Sequence, residues 1–298
     1  MTRTTAQPLN AFSVDVEDYF HASALADGVR RIGRDNLEFR VCENTERILG
    51  VLDDAGVKGT FFVLGWVVER FAPLIRQIRD AGHEVACHGY SHALIYNQSQ
   101  AEFREETVKA KGLLEDATGA AVVGYRAASF SIRKDTLWAL EVLQEAGFEY
   151  DSSIFPVHHD RYGIADAVLE PHRRELPNGG SIVEVPMTVL PFGGVRIPVS
   201  GGGYFRLYPY AFTRAAARRV NAAGRPWVFY IHPWEVDPEQ PRLDVKGFSK
   251  FRHYNNLEKT EPRLRRMLDD FSFGSMTELV QASGLQSEQI QCDSDHAA

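Results

Sequence analysis

At 298 residues, 44% of them hydrophobic, the chain can bury a sizeable core and fits one large domain. Lysine plus arginine total 33 against 40 for aspartate plus glutamate, a formal charge of −7, and the basic clusters Arg173-Arg174, Arg218-Arg219 and 263–266 are short and mixed with acids or apolar residues, which argues against a nucleic-acid partner. No run reaches the roughly 18 apolar residues that cross a bilayer, so no transmembrane segment is expected.

The amino terminus MTRTTAQPLN lacks an apolar stretch of the secretory kind, and Cys42, Cys87 and Cys292 have no paired spacing. Both features suit a reducing compartment, so the expected location is the cytoplasm, with the inner membrane face open as a site of work. Cys87 reads as a buried strand thiol, and 286–298 as a disordered tail.

Along the chain, apolar runs repeatedly stop on or beside a titratable residue. NAFSV at 10–14 leads to Asp15, Glu17 and Asp18, and HEVAC at 83–87 leads to His88 and His92. VVGY at 122–125 stops on Arg126, GFEY at 147–150 on Asp151, and WVFYI at 227–231 on His232. Amphipathic segments at 44–56, 67–82, 100–119 and 135–147 carry apolar residues three and four apart and predict helices. Ala-Gly at 55–56, 81–82, 146–147 and 223–224 predicts helix stops followed at once by strands. Ser99 and Asp135 are the expected N-caps of two helices. Strands alternating with helices give an α/β class with a mostly parallel sheet or barrel, whose strand exits hold the chemistry.

The stretch 155–210 is irregular and reads as a loop-rich insertion. Within it ELPNGGSIVEVP predicts a hairpin turning at Asn178-Gly179. The run Gly201-Gly202-Gly203 lacks the Lys-Ser/Thr of a phosphate loop, and no helix is expected to open on it, so it reads as a flexible substrate-facing loop.

His88 and His92 lie four apart directly after a strand, where a tight turn or a short helical turn can converge both rings. Asp15 and Glu17 are two apart on a strand and project to one side. Two imidazoles and a carboxylate leave positions open for water and substrate, which suits a catalytic divalent metal. Mixed oxygen and nitrogen donors favour Zn²⁺ and leave Co²⁺, Ni²⁺ or Mn²⁺ open.

These residues resemble the NodB-homology polysaccharide deacetylases of carbohydrate esterase family 4. SVDVEDY stands in place of the usual TFDDG, His88-Gly-Tyr-Ser-His92 matches the HxxxH motif, and Gly-Tyr-Arg126 the arginine motif. Asp151-Ser-Ser and Tyr-Ile-His232 look like the fourth and fifth motifs, all in the family's order. VDVEDYFH, GYRAASFSI, GGGYFRL and YIHPWE are similar to the subgroup that accompanies exosortase (PEP-CTERM) exopolysaccharide systems. The resemblance spans roughly residues 10–280.

What it implies is a distorted (β/α)7 barrel, with one deacetylase domain over 1–285. The implied activity is metal-dependent hydrolysis of N-acetyl groups from amino sugars of a polysaccharide or its lipid-linked precursor, in exopolysaccharide biosynthesis and in association with its assembly machinery. Asp15 is then the general base, Arg126 holds it ionised, Asp151 tunes the charge network, and His232 is the general acid. The metal ligands are His88, His92 and one of Glu17 and Asp18, strand alternation favouring Glu17 and side-chain length and family habit Asp18. A backbone N–H near Phe130 would serve the oxyanion, and Phe130 marks a pocket wall that differs from the family's Pro-Tyr. Tyr204 and Trp234, with Phe205, Tyr208 and Glu235, form an expected aromatic platform for sugar rings. His158, His159, His172 and His253 are expected at the surface. Hydrolysis of a cyclic amide or imide, or glycan binding without catalysis, are the rival functions.

Overall fold

The computed structural model describes residues 8–159, 161–245 and 247–285. The expected tail at 286–298, Cys292 with it, lies outside them. The first half alternates as expected: β1 (Asn10–Val16), α1 (Ala26–Ile32), α2 (Val41–Asp54), β2 (Thr60–Val63), α3 (Gly65–Asp80), β3 (Glu84–Cys87), α4 (Gln100–Thr118), β4 (Gly124–Tyr125), α5 (Trp138–Glu145) and β5 (Tyr150–Asp151). Two hairpins follow, β6 (His172–Glu175) with β7 (Ser181–Glu184) and β8 (Val189–Phe192) with β9 (Val195–Pro198). The chain ends through α6 (Gly202–Leu207), α7 (Tyr210–Ala222), β10 (Val228–Ile231), α8 (Gly247–Tyr254), α9 (Thr260–Asp270), β11 (Phe273–Gly274) and α10 (Met276–Ala282). No described helix is long and apolar enough to cross a membrane.

The main sheet runs β10-β1-β2-β3-β4-β5-β7-β6, parallel from β10 through β7 and antiparallel at β6, with β11 beside β1. β1 is buried at every residue, as a strand covered on both faces must be. The sheet curls into a half-barrel, which agrees with the distorted barrel. The distortion has a local cause: between β7 and β10, side chains replace part of the backbone ladder. Val228 N–H donates to Thr188 Oγ1 (2.8 Å), Thr188 N–H to Ser200 Oγ (2.8 Å), and Ser200 Oγ to the Val228 carbonyl (2.6 Å). These hydroxyls satisfy buried backbone groups that a closed ladder would otherwise pair.

Gly56, Gly82, Gly147 and Gly224 all have φ between +63° and +81°, so the Ala-Gly helix stops hold. Ser99 caps α4 in a capping box with Glu102. Asp135 does not cap α5: residues Lys134–Thr136 form a 3-10 turn, Thr136 Oγ1 accepts the Arg133 N–H, and Asp135 pairs with Arg133 instead. The hairpin turns at Asn178-Gly179 as expected. The glycine run is a correction, because α6 opens directly on Gly202. Cys87 is buried in β3, where desolvation pushes its thiol up to about 12 and leaves it unreactive.

Candidate active site

The parallel strands deliver their last residues to one end of the sheet. Asp15 and Glu17 come from β1 and its exit, His88 from the exit of β3, Arg126 from β4, and His232 from β10, which neighbours β1 with Val14 opposite Ile231. His92 is carried there not by a helical turn but by left-handed backbone at Gly89 (φ +75°) and at His92 itself (φ +63°). A non-glycine residue in that region is strained. Ser129 and Phe130 are held the same way, at φ +50° and +54°, and all three line one cavity of about 360 Å³. No pattern in the sequence marks this strain.

At the cavity floor the donor atoms of Glu17, His88 and His92 lie within 4.8 Å of one another. Glu17 Oε2 is 2.8 Å from His92 Nε2, and Glu17 Oε1 is 3.2 Å from His232 Nε2. His88 Nδ1 lies 2.8 Å from the Arg126 carbonyl. A carbonyl requires Nδ1–H, so the lone pair of Nε2 is left to face the cluster. Glu17 Oε2 is buried, with His92 Nε2 as its close polar neighbour. Burial alone would raise the Glu17 carboxyl, yet His92 and His232 hold it well below the usual range. The free lone pair of His88 Nε2, the His92 imidazole and the buried, ionised Glu17 carboxylate are a donor set that fits a divalent cation such as zinc.

Asp18 is not part of this set. Its Oδ1 accepts the Tyr19 N–H, and its Oδ2 accepts the N–H groups of Arg40 and Val41. It therefore caps a short turn and ties it to the start of α2, pointing away from His88 and His92. Burial raises its carboxyl to about 6 despite those three donors. Of the two carboxylates, the one that strand alternation favours, Glu17, is the one that lies with His88 and His92.

Behind Glu17, Arg126 is fully buried and binds Asp15 Oδ1 (2.7 Å), Ser13 Oγ (2.8 Å), Ser152 Oγ (3.1 Å) and the Ser152 carbonyl (3.2 Å). Its guanidinium also lies 4.0 Å over the Phe62 ring. Asp151 makes no hydrogen bond to Arg126: it accepts from Ser153 Oγ and Ser153 N–H, and faces Glu184. Burial raises both carboxyls and their mutual repulsion lifts Glu184 further, so the pair retains a proton. Asp151 thus acts on Asp15 only across Arg126.

His232 is flanked by carboxylates. Its Nδ1 is 3.3 Å from Glu235 Oε2, and although burial opposes the charged ring, Glu17 and Glu235 push it up to about 9. Glu235 is buried against Arg206, whose Nε and Nη2 donate to Oε1 at 3.1 and 3.0 Å. A Cβ on Gly202 would sit 1.6 Å from Glu235 Oε2, so a glycine at that position admits this carboxylate. The sequence held the signal in GGGYFRL and YIHPWE, but only the fold joins Gly202, Arg206 and Glu235.

Of the expected aromatic platform and pocket wall, Phe130, Tyr204 and Trp234 line the cavity. The Trp234 ring is largely buried and stacks near parallel on two imidazoles, 5.1 Å from His232 and 4.3 Å from His253, which limits the face it can offer a sugar. Phe205 is buried in the core against Phe229. Tyr204 does line the cavity, its hydroxyl 3.1 Å from that of Tyr162, and Phe130 forms wall. The Phe130 N–H donates to the Ala127 carbonyl and is not available to an oxyanion. His253 is buried, not exposed, and His159 lines the cavity stacked on Tyr162, because α8 and residues 159, 161 and 162 pack over the site. His158 is exposed and His172 half-buried.

Residues 35–150 match the polysaccharide deacetylase family model, and 152–281 match a domain of unknown function (DUF3473). Similar proteins include a peptidoglycan deacetylase of Helicobacter pylori, 33% identical over 38% of this chain and 37% of that one, and a peptidoglycan-N-acetylglucosamine deacetylase of Bacillus cereus, 33% identical over 33% and 36%. The matches span about a third of the length of these relatives. In fold the chain is similar to a candidate polysaccharide deacetylase from Mycobacterium smegmatis (TM-score 0.62, 22% identity, 96% and 94% covered) and to PuuE allantoinase (0.60, 16%, 94% and 91%). The polysaccharide deacetylase match thus covers residues 35–150, and the solved structures share the fold of the chain.

Proposed function

We propose that the chain is a metal-dependent deacetylase that hydrolyses N-acetyl groups of amino sugars in a polysaccharide or its lipid-linked precursor, within exopolysaccharide biosynthesis of the exosortase-associated kind. The observation that carries this reading is the meeting of Glu17, His88 and His92 at the floor of a cavity that also exposes Asp15 and His232. Glu17, His88 and His92 would hold a divalent ion, zinc first, which when bound polarises an amide carbonyl and acidifies a water.

The protein's own groups supply the proton transfers. Asp15, held and oriented by Arg126, takes the proton of the attacking water. His232, kept protonated by Glu17 and Glu235, gives its Nε2 proton to the nitrogen as the C–N bond breaks, so that acetate and a free amine leave. Arg206 fixes Glu235, and Glu235 fixes the ring of His232. Phe130 and Tyr204 bound the space for the sugar, and the free thiols Cys42 and Cys87 suit a reducing compartment such as the cytoplasm.

Acetate release from N-acetylglucosamine oligomers, with and without a chelator, tests the reading. The expected result is release that a chelator abolishes, that added zinc restores, and that His88→Ala lacks. Chelator-insensitive release, or turnover of allantoin with none of the oligomers, would overturn it.

A further inference from the structure

Two arginines at the cavity mouth differ from most others in this acidic chain. Arg40 meets Asp237, Arg126 meets Asp15, Arg206 meets Glu235 and Arg265 meets Asp54. Arg161 and Arg252 face no carboxylate among the described residues. Both instead donate to one neutral oxygen, the hydroxyl of Ser23, at 3.2 Å from Arg161 Nη1 and 3.4 Å from Arg252 Nη2. Both line the cavity that has the Glu17, His88 and His92 cluster at its floor.

A guanidinium stays charged at any physiological pH, and among the described residues no carboxylate offsets the repulsion of these two, Arg161 half-buried and Arg252 on the solvent side. The fold nonetheless holds them there. The carbonyls of Arg252 and His253, in the last turn of α8, accept from the buried Arg206 guanidinium at 3.3 and 2.9 Å. That helix end is therefore tied to the same Arg206–Glu235 pair that backs His232. The Arg161 N–H donates to His159 Nδ1 at 3.1 Å, and His159 is stacked 4.0 Å from Tyr162. The acids that line the cavity are already matched: Asp15 by Arg126, Glu17 by His92 and His232, Glu235 by Arg206.

We propose that Arg161 and Arg252 form an anion subsite beside the reaction centre, and that the substrate is an acidic glycan with a carboxylate or phosphate close to the acetamido sugar. Planar guanidinium forks match both oxyanions, and an anion seated between them would relieve the repulsion and replace Ser23 as acceptor. This inference rests on the deacetylase reading for the identity of the sugar, and on the paired arginines alone for the charge.

Three probes separate the possibilities: chitotetraose, which is neutral; hyaluronan tetrasaccharide, which alternates N-acetylglucosamine with a carboxylate sugar; and UDP-N-acetylglucosamine, which carries phosphate. Each is titrated into the zinc-loaded chain by calorimetry and assayed for acetate. An acidic probe is expected to exceed chitotetraose by about tenfold in affinity and in kcat/KM, the hyaluronan or the UDP sugar telling which anion is meant. In the Arg161→Gln/Arg252→Gln variant that ratio should fall toward one, and Arg161→Lys/Arg252→Lys should restore part of it. Raising salt from about 0.05 to about 0.5 M should also shrink the ratio. Equal affinity for all three probes, or a ratio that the glutamine variant leaves intact, would overturn the subsite. Charge-selective binding without acetate from any probe would support the subsite while overturning the deacetylase reading.

Discussion

Replacing Arg126 by methionine tests the part of the site that needs no ligand. Methionine fills much of the arginine stem but offers none of the hydrogen bonds to Asp15, Ser13 and Ser152. Asp15, 2% exposed, is then left without the cation 2.7 Å from its Oδ1. Removing one partner of a buried ion pair costs about 3–5 kcal/mol, because the other charge stays buried and unpaired. Set against a total stability of about 5–15 kcal/mol, that is a large downward shift in the urea midpoint. Adding Asp15→Asn to Arg126→Met removes the orphaned charge and should recover about 1–3 kcal/mol, whereas Asp15→Asn alone should destabilise. Urea denaturation of the four proteins, followed by circular dichroism, closes the double-mutant cycle. A coupling energy under about 0.5 kcal/mol, or a cost of Arg126→Met under about 1 kcal/mol, would refute the claim that this pair orders the site.

Glu17→Gln should weaken zinc binding at least about 100-fold by calorimetry, whereas Asp18→Asn should lower stability by about 1 kcal/mol and leave zinc affinity within about threefold. The reverse pattern would return the ligand role to Asp18. Gly202→Ala should cost about 1–3 kcal/mol, since its Cβ meets the Glu235 carboxylate that Arg206 pins, while Gly203→Ala, with open space around its Cβ, should stay within about 0.5 kcal/mol. Equal midpoints for the two alanine variants would contradict that packing. His83 is buried with Nδ1 accepting the Gly59 N–H, and burial lowers it from 6.5 to about 4. The unfolded chain therefore binds the proton first as pH falls from 6.5 toward 4, and the native state loses stability over that window, by up to about 3 kcal/mol. Relative to His83→Asn, which does not titrate, the wild type should lose ground across that window in urea midpoints, and parallel pH profiles would exclude the effect.

The half-barrel was legible because its signals are local: each Ala-Gly stop marks a helix end, and each buried run needs no partner to be recognised as a strand. His88, Arg126 and His232 were legible for the same reason, as polar residues at the exits of those runs. Period-two alternation even separated Glu17 from Asp18, since an acid one residue further along turns to cap α2. What the sequence concealed depends on residues distant in the chain. Trp234 reads as a fully open sugar platform until α8 stacks His253 on its ring, and His253 reads as surface until the same helix folds back. The glycine run at 201–203 reads as a loop until Glu235, 33 positions after Gly202, is found where a Cβ would be. Phase along a strand is encoded locally, whereas a cavity wall built from 22–24, from 159, 161 and 162, and from α8 is not.

The central claim is that Glu17, His88 and His92 together hold one divalent ion. Metal content of the purified chain, by plasma mass spectrometry after dialysis against zinc, tests it most directly when wild type, His88→Ala and His92→Ala are compared at matched folding by circular dichroism. One zinc per wild-type chain is expected, and none retained by either variant. One zinc per chain in all three proteins, or none in the wild type, would contradict it.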